Sequence, residues 1–109
     1  MQRALTPYPT WLQSFKNPKT GEVRMCRHLV AECICNTPEL IDVLGFNRVT
    51  EQVTARKPWP WREQAGPVQP IDDLRLGDWL SERYDLPDAP RHALRQAIEL
   101  VAHMQPYPP

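Results

Sequence analysis

Thirteen prolines in 109 residues, about 12% against a usual ~5%, constrain this chain more than any other feature. Proline lacks a backbone N–H and locks φ, so it belongs in the first turn of a helix, in a tight turn or on a sheet edge. The prolines crowd residues 7–9, 58–70, 87–90 and 106–109. Between those clusters they are absent except near helix starts, so they punctuate the chain and do not form a low-complexity tract.

The punctuated segments carry helical patterns. Thr10 can cap a short helix presenting Trp11, Leu12 and Phe15, ended by the turn-forming "NPKTG". From Glu22 to Cys35, the residues Val23, Cys26, Leu29, Val30, Cys33 and Ile34 recur at helical spacing, with Asn36 as a stop. "TPELIDVLG" supplies a capping Thr37, Pro38 at the first helical position, an early Glu39 and a terminating Gly45. "FNRVTEQVTARK" fits either period, because Val49 and Val53 share a face of a helix and of a strand; a helix capped by Asn47 is preferred, since a lone strand has no obvious pairing partner. "DLRLGDWLSERYDL" gives a short helix with Leu76, Trp79, Leu80 and Tyr84, and Gly77 near its start. In "DAPRHALRQAIELVAHM", Asp88 and Pro90 mark the entrance and Leu94, Ala97, Ile98, Val101 and Met104 form the buried stripe. The expectation is an all-α single domain over residues 1–109, with four to six short helices. A loosely structured Pro/Trp-rich loop at about 57–70 and a Pro-rich tail at 106–109 complete it.

Composition narrows the class. A 41% apolar and 24% charged chain of this length supports one modestly stable core. Thirteen basic residues balance thirteen acidic ones, so no global field attracts nucleic acid or anionic lipid. The balance is uneven: residues 1–62 hold nine Lys/Arg against five Asp/Glu, a net of +4, and residues 63–109 hold four against eight, a net of −4. Cys26, Cys33 and Cys35 lie within ten residues of one another, a poor disulfide framework that points to a reducing cytoplasm. No stretch reads as a signal peptide or approaches the ~20 apolar residues of a membrane span.

Four features carry residue types capable of chemistry. "CRHLVAECIC" holds ligand types suited to zinc, but on a helix His28 and Cys35 point roughly 160° away from Cys26 and Cys33, so no metal and no cofactor is expected. His28 and Glu32, four residues apart, suit a surface ion pair better than a general base. His92 and His103 are about 16 Å apart along one helix at 1.5 Å per residue, too far to share a metal. Four glycines leave no phosphate-binding loop. No catalytic residues are assigned and a non-enzymatic role is expected.

Surfaces remain. In "RKPWPWREQAGPVQP", Trp59 and Trp61 with Arg56 and Arg62 read either as core plugs or as the anchor of a protein interface, and the two are compatible if one ring packs inward and the other outward. The acidic stretch with Asp72, Asp73, Asp78, Glu82, Asp85 and Asp88 offers a second contact surface, or a solvated helix face. The expected function is a protein-binding module, an inhibitor or adaptor docking on a larger protein or complex. One concrete version is a phage-type inhibitor of a host nucleic-acid-processing enzyme. The alternative is nucleic-acid binding by Arg24, Arg27, Arg48, Arg56, Lys57 and Arg62 with the tryptophans as stacking platforms. No membrane association is expected, and self-association stays open.

Overall fold

The computed structural model describes Leu12, residues 15–104 and residues 106–107. Among them the chain order is α1 (Arg27–Asn36), a 3-10 turn (Pro38–Leu40), β1 (Leu44–Asn47), β2 (Gln52–Ala55), β3 (Gly66–Pro67), α2 (Pro70–Tyr84), α3 (Arg91–Met104) and β4 (Pro106–Tyr107). The expected all-α bundle is thereby corrected to a mixed fold in which three helices accompany a sheet of order β3-β2-β1-β4. The first three strands in chain order pair antiparallel, and β4 adds parallel to β1.

The change of class originates in residues 37–56. The helix expected over 37–45 stops after its 3-10 turn because Thr37, the intended cap, turns its hydroxyl back to the Cys33 carbonyl and to the Tyr84 hydroxyl. Asp42 then takes a left-handed φ of 63°, which no α-helix accommodates. Released from that helix, Leu44–Asn47 pairs with Gln52–Ala55 in the register Leu44↔Ala55, Gly45↔Thr54, Phe46↔Val53 and Asn47↔Gln52. The second expected helix is therefore a strand whose partner lies just upstream. Asn47 does accept hydrogen bonds from the next backbone groups, Val49 N–H at 2.9 Å and Thr50 N–H at 3.3 Å. Those contacts resemble a helix cap but here close the hairpin turn.

The Pro/Trp-rich segment is likewise structured. Gly66–Pro67 pairs with Thr54 and Ala55, and a proline that cannot donate to a ladder sits at the sheet edge where none is required. In the tail, Pro106–Tyr107 forms β4, while residues 108 and 109 lie outside the described residues.

The helices match the sequence pattern better. α1 begins at Arg27 and not at Glu22, since "NPKTG" folds as a turn held by Asn17 and Val23 forms an isolated bridge with Lys16. α2 starts at Pro70, so Gly77 lies inside it and not at its start. There a Cβ would come within 3.0 Å of Leu94 Cδ1, so the missing side chain permits close approach of α2 and α3. In α3, Leu94, Ala97, Ile98 and Val101 are buried as expected, whereas Met104 is 63% exposed. α3 packs against α1, α2, β1 and β2, which places it at the centre of one buried cluster containing Leu29, Ile34, Leu44, Trp59, Leu76 and Leu80. The short helix expected from Thr10 begins outside the described residues, although Leu12 is buried and Phe15 packs on the same cluster. No helix among the described residues is long and apolar enough to cross a membrane.

Candidate functional site

The residues singled out in "RKPWPWR" separate sharply. Trp59 is 1% exposed and is the largest fully buried side chain. Trp61 is half-buried and stacks on it, with ring centroids 4.8 Å apart and planes 14° from parallel. One ring is thus core and the other a partly wetted lid over it, a geometry in which stacked aromatics add to area burial. Neither face of Trp59 is available to a base, which removes one of the two stacking platforms. Arg56 is exposed just beyond β2, its backbone N–H bonded to the Val43 carbonyl at 2.6 Å.

Asp72 ties this segment down. Its side chain, 1% exposed, accepts hydrogen bonds from Trp61 Nε1 at 3.4 Å, Arg62 Nη1 at 3.1 Å and the Gln69 backbone N–H at 2.8 Å. The last contact is the carboxylate half of a capping box, and the position in the first turn of α2 lets the helix dipole favour the charge. Asp73, also buried, accepts from Arg95 Nη2 at 3.0 Å and Nε at 3.2 Å and faces Arg91 Nε at 3.5 Å. The two carboxylates thus have separate tasks: Asp72 fastens the tryptophan strap to α2, and Asp73 fastens α2 to α3. Of the acidic stretch, Asp78 and Glu82 are exposed on α2, and Asp85 is exposed where the helix ends in a left-handed φ of 54°. Asp88 is exposed beyond it.

The outer face of α2 carries what remains. At ~100° per residue, Ile71, Leu74, Arg75, Asp78 and Glu82 fall within a sector of about 100°, and all five are exposed. Ile71 and Leu74 are 48% and 46% exposed, two aliphatic side chains side by side at the N-terminal half of the face. The helix behind them is held at both ends. Asp72 and Asp73 anchor its first turn, Tyr84 bonds Thr37, and Arg83 pairs with Glu39 while its guanidinium lies 5.7 Å from the Trp79 ring. No local pattern singles out Ile71 and Leu74, because aliphatics next to a buried stripe read as part of it.

The cysteine and histidine motifs disperse. Cys33 is buried, Cys26 half-buried and Cys35 exposed, all as free thiols. Burial, reinforced by the Glu32 carboxylate, pushes the Cys33 thiol up to about 12, and the same causes raise Cys35. Thiols held protonated are poor nucleophiles and poor metal ligands. Glu32 bonds Asn36 Nδ2 at 3.0 Å, and His28 faces a cleft shared with α3. Among the described residues no three His, Cys, Asp or Glu side chains gather into a metal-binding group. In comparisons with known proteins, no family model matches the chain and no curated protein matches it.

Proposed function

We propose that this protein is a non-enzymatic binding module that docks on a larger protein through the outer face of α2. The supporting observation is the exposure of Ile71 and Leu74 together, beside Asp78 and Glu82, on a helix anchored at both ends. A rigid helix face loses little entropy on docking, and two aliphatic anchors rimmed by charge suit a helix-in-groove contact. The occupant is a protein groove with an apolar floor for Ile71 and Leu74 and basic residues opposite Asp78 and Glu82. An inhibitor or adaptor works by occupying such a groove. Asp72 and Asp73 serve this role indirectly, by fixing α2 in place.

The test is a photo-crosslinking residue at position 74, used in nuclease-treated lysate to identify the partner, followed by titration of the purified pair. Half-burial of two aliphatic side chains contributes roughly 1.5–3 kcal/mol, so Ile71→Ser/Leu74→Ser should weaken Kd by about 10- to 100-fold with an unchanged circular dichroism spectrum. A folded double variant that binds within twofold of wild type overturns the docking face. No protein captured from the nuclease-treated lysate, with nucleic acid captured from the untreated one, overturns the protein partner.

A further inference from the structure

A second surface, on the opposite half of the charge distribution, goes beyond the α2 face. Between the start of α1 and the first turns of α3 lies an open cleft of about 510 Å³, lined by Arg24, Arg27, His28, His92 and Gln96 alongside Cys26 and Pro90. No carboxylate lines it. The nearest acids along the same segments are Glu22, Glu32, Asp88 and Glu99, and none contributes to its wall. Arg62, Arg83, Arg91 and Arg95 each face a carboxylate, whereas Arg24 and Arg27 have no ion-pair partner among the described residues. Residues 1–14 contain no Asp or Glu that could supply one.

We infer that this cleft binds a phosphate group, carried by a nucleotide-sized molecule or by a nucleic-acid backbone. Two guanidiniums, two imidazoles and a carboxamide line it from two segments, and the two fixed positive charges with no carboxylate among them favour the acceptor oxygens of a phosphate over a cation. The volume lies within the ~300–1,000 Å³ of small-ligand clefts. α1 has neither an acidic residue in its first turn nor a side chain capping it, so its open N–H groups add favourable potential, although they would not hold an anion without the arginines. The cleft continues along α3, where Arg27, His28 and Gln96 also border a second depression reaching Glu99, Leu100 and His103, so the phosphate itself belongs at the Arg24 end, away from that carboxylate. That extension offers room for whatever bears the phosphate.

The test uses the full chain, with amide NMR shifts and calorimetric titration of three probes: inorganic phosphate, adenosine monophosphate and a short single-stranded oligonucleotide. All three should move amides at 24–28 and 92–96 together and saturably. Removal of a charge-assisted contact is expected to weaken binding about tenfold or more. Arg24→Gln/Arg27→Gln should show that loss, while Arg48→Gln, exposed on the hairpin turn, stays within twofold and both melt like wild type. Adenosine monophosphate as the tightest probe identifies a small phosphorylated ligand. The oligonucleotide as the tightest, with a log–log salt slope near −1.4 for two neutralised phosphates at ~0.7 each, identifies a strand backbone. Diffuse non-saturating shifts, or an equal loss in the Arg48→Gln control, overturn the cleft as a phosphate site.

Discussion

Replacing Asp72 by alanine tests whether the tryptophan segment is a strap fastened to the fold or an arm free to leave it. Three contacts go at once. Loss of the helix-capping acceptor of Gln69 N–H is worth about 1 kcal/mol. The Arg62 contact, a charge-assisted bond of ~1.5–3 kcal/mol when buried, is discounted to about 1–2 kcal/mol because Arg62 is 24% exposed and can recover hydration. The Trp61 Nε1 contact, at 3.4 Å, and the dipole interaction add a few tenths each. The sum is about 3 kcal/mol, which lowers Tm by roughly 12–24 °C for a domain of this size. Urea denaturation followed by circular dichroism, with Arg62→Ala and the double variant completing a cycle, measures it. A coupling energy of about 1–2 kcal/mol is expected between the two sites. A loss below 1 kcal/mol for Asp72→Ala, or simple additivity in the cycle, would refute the strap and return residues 56–62 to the status of a detachable arm.

Two further perturbations probe the core. The Cys33 thiol, raised to about 12 by burial, stays neutral in the fold while the unfolded chain ionises above ~8.5. The unfolded state then binds fewer protons, so stability is intact below that pH and declines as pH rises, by about 2 kcal/mol between pH 9 and 10.5. Urea midpoints at both pH values should show this decline in wild type and a smaller one in Cys33→Ala, where the raised Cys35 thiol remains; equal slopes would count against the buried thiol. Gly77→Ala brings a gain of ~1 kcal/mol in helix propensity and a contact 3.0 Å from the buried Leu94 Cδ1, where overpacking costs ~1–3 kcal/mol. A net loss of about 1 kcal/mol is expected, relieved in a Leu94→Val background; a more stable Gly77→Ala would mean that α2 and α3 separate without strain.

Local signals in the sequence were strongest where one periodicity had no rival. The stripe Leu94, Ala97, Ile98 and Val101 identified α3. They were weakest over 37–56, where capping residues and turn residues are the same residues. Thr37, Pro38 and Asn47 can begin a helix, yet Thr37 bonds backward to Cys33 and across to Tyr84, 47 positions away, and Asn47 closes a hairpin. A helix over 37–45 takes away the upstream hairpin partner of Gln52–Ala55, so a helix over the second segment follows from a helix over the first.

The candidate surfaces divide along the same physical line. The sequence by itself determined which residues carry charge and aromatic area, and where the chain must turn; these are properties of single residues and near neighbours. Only the tertiary structure decided which of them face solvent. Arg62 and Asp72, ten positions apart, read as members of two opposite surfaces until folding made them one half-buried ion pair, and Arg24 and His92, from separate segments, became walls of one cleft. Burial and pairing depend on contacts between distant segments, and no periodicity within a segment encodes its neighbour across the core.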